Sequence, residues 1–429
     1  MRTLVMTMLD LRKEPNQRTQ HMVRMLADIS RETVIVSKVK VLDRSWRAVV
    51  RDALTFHAHV THEGTQTLIA LHPPLNYAQA LAAGLVQGSI VRSPSLARRW
   101  AAGVLSAAGI LRDLLLVPSF VLAVLLKSRG RFDLCLVEGP WAGCAALALR
   151  GLGRVGHIVY DDIDLVAGGQ MLRLRSAYTG LLERLAIRRA DLVISAGSRL
   201  GEHRRRTTRR AVLVIPNGVD PAPFAAAHQK RAHPPTLVYV GHLAHYAGVD
   251  LAILALPLIA QRLPDVRLVV IGDGDTPYIA GLRELAEAQC VAERVELRGR
   301  VPYADVPAVL AECDIGLSTS RATPLRVFAF PLKIVEYMAA GLPFLCTRDT
   351  EAEEILTRYP AGIAIDFTPQ ALANAAIKLL TEPQLYGRAV QFGLEGAQMF
   401  TWERAVSDQR DAILDMLESS TRRPAALRT

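Results

Sequence analysis

Short apolar runs rich in β-branched residues, each closed by glycine or a polar residue, alternate along this chain with longer segments whose apolar positions recur every three or four residues. The runs are Thr3 to Leu9, Thr33 to Ser37, Phe132 to Val137, His157 to Tyr160 and Asp191 to Ser195, then Leu237 to His242, Val266 to Gly274, Val295 to Pro302 and Cys313 to Ser318. Strands of this kind between helical segments are the pattern of a parallel sheet in βα units, where crossover helices bury both faces. The fold class is therefore α/β, and ligands are expected beyond the carboxyl ends of the strands. A helix is expected from about Gln17 to Ile29. A chain of 429 residues, 50% of them hydrophobic, fills two domains rather than one. The turn signal Asn217-Gly218, beside Pro216, Pro221 and Pro223, marks the junction. Two segments are poor in periodic apolar residues, Ala225 to Pro235 and the tail after Ser419.

One helix carries its own start and stop signals, from Pro331 to Pro343. Pro331 stands where a missing N–H costs nothing, Gly341 suits the left-handed position past the end, and Pro343 forbids continuation. Leu332, Val335, Met338 and Ala339 form an apolar stripe, whereas Lys333 and Glu336 share a charged face. The first turn offers free N–H groups and a positive dipole end beside a lysine, which suits a phosphate or diphosphate. Glu336, one turn further in, suits a sugar hydroxyl. The plain alternative is an exposed ion pair of little consequence.

Three carboxylates, Asp161, Asp162 and Asp164, follow the strand ending at Tyr160 and so stand at its carboxyl end. They suit the orientation or deprotonation of a hydroxyl; equally, they suit a helix cap with a solvated acidic turn. Cys135, Cys144, Cys290, Cys313 and Cys346 show no metal-ligand spacing and read as buried reduced thiols of a cytoplasmic protein. Met1 to Met8 reads as a strand rather than a secretion signal.

Leu114 to Leu126 is apolar and uncharged, but its 13 residues fall short of the ~20 that span a bilayer. It follows the apolar stretch Trp100 to Ile110 and is flanked by Arg92, Arg98, Arg99, Arg112, Lys127, Arg129 and Arg131 against Asp113 alone. Two uses stay open, docking on anionic lipid and burial ahead of the next strand. The net charge of +10, from 51 basic and 41 acidic residues, is concentrated partly in Arg199 to Arg206 and Arg209-Arg210. That run suits a solvated helix face or an anionic lipid or phosphorylated acceptor. Nucleic acid is disfavoured, since no aromatic or zinc-finger pattern accompanies the charge.

In order, Pro216-Asn217-Gly218-Val219-Asp220, Val240-Gly241-His242-Leu243, Gly248-Val249-Asp250, Ile271-Gly272-Asp273-Gly274, Arg298-Gly299-Arg300-Val301 and Lys333 to Pro343 form a series spanning about Ile215 to Leu356. This series resembles the carboxyl-terminal domain of GT-B-fold glycosyltransferases of family 4, retaining enzymes that use nucleotide-sugar donors. The first half is similar only loosely, through Val155 to Tyr160 and Ala186 to Ile194.

The resemblance implies two Rossmann-like domains facing a cleft. These are an acceptor-binding domain over 1–217 and a nucleotide-sugar domain over 218–400, with a helix over 401–418 that crosses back to the first and a disordered tail over 419–429. It implies retaining transfer to an acceptor hydroxyl in polysaccharide, glycolipid or natural-product glycosylation, with no metal and no cofactor beyond the donor. A peripheral contact with anionic membrane through the basic first domain is also expected. Donor contacts carry over to Gly241, His242, Gly272, Asp273, Gly274, Gly299, Arg300, Val301, Arg326, Pro331, Leu332, Lys333 and Glu336. Catalytic roles fall to Asp162, Asp164 and Lys333, and acceptor contacts to Asn16 and Asp161.

Three departures fall where the family does its chemistry. Phe328 stands where a first glutamate is usual, and His242 and about Ala247 stand where an arginine and a lysine contact the diphosphate. Lys333 and Arg326 are the available substitutes. Aspartates replace the histidine that often follows a strand of the first domain. Two rivals therefore stand beside transfer: a weakly active or inactive sugar-nucleotide-binding scaffold, and a sugar-nucleotide epimerase of the same fold.

Overall fold

The computed structural model describes residues 1–11, 18–39, 56–76, 96–169, 173–228 and 233–422. Asn16, Arg92 and the residues after Arg422 lie outside the described residues, as does 229–232 of the segment read as loose.

Eight strands form the first sheet: β1 (Arg2–Thr7), β2 (Glu32–Lys38), β3 (His57–Glu63), β4 (Gln66–His72), β5 (Phe132–Glu138), β6 (Val155–Asp162), β7 (Leu192–Ser195) and β8 (Val212–Val214). Their order is β3-β4-β2-β1-β5-β6-β7-β8. All neighbours are parallel except β3 and β4, which form an antiparallel hairpin closed at Gly64. That hairpin escaped the sequence reading because β3 alternates His57, His59 and Thr61 with only Ala58 and Val60, too little apolar surface to stand out.

Six strands form the second sheet, all parallel: β9 (Thr236–Val240), β10 (Arg267–Ile271), β11 (Val295–Gly299), β12 (Ile315–Ser318), β13 (Phe344–Thr347) and β14 (Gly362–Ile365), in the order β11-β10-β9-β12-β13-β14. Each sheet winds outward from an interior pair, β1 with β5 in one and β9 with β12 in the other. Crevices for ligands open at the carboxyl ends of such pairs.

Two compact units hold these sheets. One comprises Met1–Ala196, Leu200–Ile215 and the chain from Val406 onward; the other comprises Gly197–Arg199 and Pro216–Ala405. The final helix, Trp402–Arg422, therefore begins in the second unit and ends in the first. It continues past residue 418, where the sequence suggested a disordered tail, and the Ser420 hydroxyl bonds the carbonyl of Leu417 and Nε2 of His157.

The apolar stretches Trp100 to Ile110 and Leu114 to Leu126 merge into one helix, Leu96–Lys127. Leu116, Phe120, Ala123 and Val124 pack into the first unit's core, while Leu111, Leu114, Leu122, Leu125 and Leu126 are exposed. Arg112 and Asp113, counted with the flanking charges, are buried against one another, and Arg175 closes on Asp113 at 2.6 Å. No helix among the described residues is long and apolar enough to cross a membrane.

In the second unit, the helix Leu332–Ala339 starts one residue later than expected, with Pro331 as its extended N-cap. Gly341, at φ 66°, ends it: its N–H bonds the carbonyl of Met338 and that of Leu342 bonds the carbonyl of Tyr337 at 2.9 Å, the Schellman pattern. The expectation of one buried and one charged face is corrected, because Ile334 through Ala339 are all buried, Glu336 among them. Tyr337 fixes the helix against the sheet. Its hydroxyl accepts the Val240 N–H at 3.0 Å and lies within bonding distance of the Leu317 carbonyl at 3.3 Å. Gly316 makes room, since a Cβ there would lie 2.3 Å from the Tyr337 ring.

Tyr337→Phe leaves the Val240 N–H buried without an acceptor, and the expected cost is about 1–3 kcal/mol. Denaturant unfolding monitored by fluorescence measures it. A loss below about 0.5 kcal/mol, within the range of an ordinary surface substitution, would contradict this account of how the helix is held.

Candidate functional site

At the carboxyl ends of β9, β10 and β11 the loops continue the sheet's hydrogen bonding. The Gly241 N–H reaches Ile271 O at 2.9 Å, Gly272 N–H reaches Gly299 O at 2.8 Å, and Leu243 N–H reaches Asp273 O at 3.1 Å. Gly241 and Gly272, at φ 141° and 144°, adopt backbone conformations that side chains rarely allow, and a Cβ on Gly272 would lie 1.8 Å from Gly241 O. Asp273 turns back on its own loop, its Oδ1 accepting the Gly274 N–H at 2.7 Å.

Lys333 enters this floor from the first turn of the Leu332–Ala339 helix. Its ammonium sits 3.7 Å from the centroid of the Tyr239 ring, and a Cβ on Gly241 would come within 3.0 Å of it. Arg326 lies over the Tyr246 ring at 3.9 Å, and its buried Nε has no acceptor among the described residues. Burial and the neighbouring Arg326 push the Lys333 ammonium down to about 7, against the pull of Glu336. Burial likewise pushes the Glu336 carboxyl up to about 7, although the Tyr303 hydroxyl donates to it and Lys333 favours its charge.

Lys333 and Glu336 are therefore not an exposed ion pair. Among the described residues no carboxylate lies within salt-bridge reach of Lys333. The second unit thus brings Gly241, Arg326, Pro331, Leu332, Lys333 and Glu336 together, with Gly272, Gly274 and Gly299 in the adjoining loops. His242, stacked on Tyr246 at 6.3 Å, is exposed, as is Arg300; Val301 is half-buried. Tyr239, Tyr246 and Tyr303 were missed as site residues, because an aromatic in or beside a strand is most often core.

The first unit treats its carboxylates differently. Arg18 Nε meets both oxygens of Asp161 at 2.9 and 3.0 Å, and its other nitrogens reach Ile215 O at 2.8 Å and Gln409 Oε1 at 3.2 Å. Arg204 grips Asp162 with two bonds of 2.8 and 2.9 Å and also pairs with Glu183 at 3.0 Å. All of these side chains are nearly sealed from solvent.

The expectations that Asp162 takes a proton and that Asp161 contacts an acceptor are accordingly corrected. Their oxygens are committed to guanidinium groups, and detaching them would leave buried charges unpaired. Arg204 also departs from the solvated face assigned to Arg199 to Arg206, whereas Arg205 and Arg206 do face solvent beside Glu202. Asp164 is only half-buried. The carboxyl that sequence reasoning passed over is Glu138, the last residue of β5. Its signal was the polar residue before Gly139-Pro140, at the carboxyl end of a run that had been closed at Val137.

With this geometry in hand, known proteins resemble the chain in consistent ways. A family model described as "Glycosyl transferases group 1" matches residues 223–395. The GDP-mannose-dependent alpha-(1-6)-phosphatidylinositol monomannoside mannosyltransferase of Mycolicibacterium smegmatis is 30% identical over 284 residues, 61% of this chain and 71% of that one. The chain belongs to the group 1 glycosyltransferases. A human phosphatidylinositol N-acetylglucosaminyltransferase subunit is 34% identical over 145 residues, 34% of this chain and only 28% of that one.

Solved structures place this glycosyltransferase in the GT-B fold. Sucrose-phosphate synthase from Thermosynechococcus elongatus superposes with a TM-score of 0.72 at 16% identity, over 98% of this chain and 100% of that one. Anabaena HepE in complex with UDP gives 0.66 at 18% identity, over 97% and 100%.

Arg204→Ala strands Asp162 and Glu183 together, and the expected loss of stability is about 3–5 kcal/mol. Its measure is the guanidinium midpoint of the full chain. A shift equivalent to less than about 1 kcal/mol, as for a surface pair, would return Asp162 to the list of free carboxylates.

Proposed function

We propose that this chain transfers a sugar from a nucleoside-diphosphate donor to a hydroxyl of a glycolipid acceptor, with retention at the anomeric carbon. The observation that carries the donor reading is Lys333. A cation without a carboxylate partner, held over Gly241 at the start of a helix whose other charge is Glu336, is arranged for a polyanion. Arg326, with an unmet Nε, supplies a second cation.

Negative charge grows on the diphosphate as the glycosidic bond breaks. Lys333, Arg326 and the helix N–H groups therefore stabilise the transition state more than the bound donor. Glu336, oriented by Tyr303, takes the ribose hydroxyls. The side chains supply the positive charge, so the proposal needs no metal. Retention follows from the likeness to family 4, and the glycolipid class is supported by relatives named for phosphatidylinositol-based acceptors.

A membrane contact belongs to the same proposal. Leu111, Leu114, Leu122, Leu125 and Leu126 lie on one stripe of the Leu96–Lys127 helix, and Lys127, Arg129 and Arg131 follow it, all exposed. Apolar area edged by cations favours the surface of an anionic bilayer.

Because the Lys333 ammonium titrates near 7 before ligand binds, and an anion raises it again, GDP or UDP binding is expected to take up protons. Affinity should fall as pH rises from 7 to 9, since binding must then protonate a neutral amine and crowd an ionised Glu336. Calorimetry in buffers of different ionisation enthalpy measures the uptake. Lys333→Ala should reduce it, leaving the share due to Glu336, and weaken binding by about tenfold or more; undiminished binding would remove Lys333 from the donor site.

Transfer assays with GDP-mannose and a phosphatidylinositol mannoside test the reaction, and NMR of the new linkage tests retention. An inverted product would refute that part. Flotation with phosphatidylglycerol vesicles tests the membrane contact: Leu122→Glu with Leu126→Glu should release the protein, and equal flotation of both forms would exclude the stripe.

A further inference from the structure

The first unit has a topological switch point of its own, where its sheet reverses between β1 and β5. The last residues of those two strands, Thr7 and Glu138, stand side by side, and the Thr7 hydroxyl donates to Glu138 Oε2 at 2.7 Å. Thr19, from the first turn of the Arg18–Ile29 helix, donates to the same oxygen at 2.5 Å. Oε1 receives no hydrogen bond from the described residues, and the side chain is only partly covered. The neighbouring cation is spent elsewhere, because Arg18 is bound to Asp161. Gly139, at φ 85°, turns the chain sharply away from the strand, and Pro140 starts the next helix. In that first turn stands Trp141, 5% exposed, whose indole N–H has no acceptor among the described residues.

We infer that Glu138 binds a hydroxyl of the sugar-bearing substrate, Oε1 accepting the hydrogen bond while Thr7 and Thr19 hold Oε2. The inference rests on the glycosyl-transfer reading for the identity of the substrate, but not for its geometry. Asp161 and Asp162, in the same unit, each meet a guanidinium. Glu138 is given instead two neutral donors on one oxygen, and burial together with nearby Asp161 and Asp164 pushes it up to about 7. Rigid orientation and one open acceptor at a topological switch point suit a hydroxyl-bearing ligand. Glu138 would thus contact substrate directly, a role for which the sequence had nominated Asp161 and Asp162.

The test uses the full chain with GDP-mannose and a phosphatidylinositol mannoside. Glu138→Met keeps the volume and removes the acceptor; Glu138→Gln keeps a neutral acceptor. With GDP affinity unchanged, Met should raise a substrate KM by about tenfold or more, and Gln by about threefold to tenfold, since hydrogen bonds to charged groups are the stronger. A rise confined to the acceptor KM assigns the hydroxyl to the acceptor. A rise confined to the donor KM assigns it to the donor sugar. Folded variants with both KM values at the wild-type level would overturn the inference.

If the wild-type chain does not turn over this pair, the choice of substrates fails without deciding Glu138. Saturation-transfer NMR with methyl mannoside in the presence of GDP then decides it. Wild type should show binding that Glu138→Gln weakens, and no binding by wild type, or equal binding by both, would overturn it.

Discussion

The bond between the Tyr337 hydroxyl and the Val240 N–H is the constraint on which the proposed donor site depends. It ties the helix of Lys333 and Glu336 to the last residue of β9, and Gly316 leaves the only space into which that ring fits. Lys333 projects one turn earlier from the same helix, so its position over Gly241 follows from where Tyr337 is anchored. The Schellman turn at Gly341 closes the other end, and β13 begins three residues later. Between a fixed hydroxyl and a fixed terminus the helix has no freedom to slide, and the two groups that titrate near neutrality are held in place by parts of the chain that do not titrate.

Charge is arranged differently around the carboxylates of the first unit and around Lys333 and Arg326 in the second. In the first, buried carboxylates are cancelled by arginines reaching across long sequence separations: Arg18 to Asp161, and Arg204 to Asp162 and Glu183. In the second, a lysine and an arginine lie against aromatic faces rather than against carboxylates. The first arrangement ties distant parts of the chain together, and the second is the one on which the proposed donor site rests. Glu138 is the exception within the first unit, a carboxyl supported by hydroxyls.

Much of this was legible in the sequence. β-branched runs gave most strands of both sheets, and Pro331, Gly341 and Pro343 gave a helix to within one residue. Lys333 and Glu336 were singled out by their spacing on one helix and the glycines of three loops by the resemblance, and the structure places all of them in the second unit. The hairpin of β3 and β4 was not, since His57 and His59 blur its alternation. Nor could the sequence tell a sealed aspartate from an open one: Asp161 and Asp162 are adjacent to each other, but what decides their roles is Arg18 and Arg204, 143 and 42 residues away. Partners at such distances are properties of the folded topology, and only the folded chain reveals them.

The first unit is interrupted in the chain, and this bears on how the protein is made. Apart from Gly197–Arg199, the second unit is one continuous stretch ending at Ala405, whereas the first waits for the residues from Val406 onward. Gln409, fully buried, is one of the acceptors around Arg18. During synthesis the later-encoded unit can close while the earlier one still lacks its last helix, reversing the usual order in which domains leave the ribosome folded. A nascent first unit must therefore keep the Arg18 cluster incomplete until Gln409 has been synthesised, long after Arg18 and Asp161.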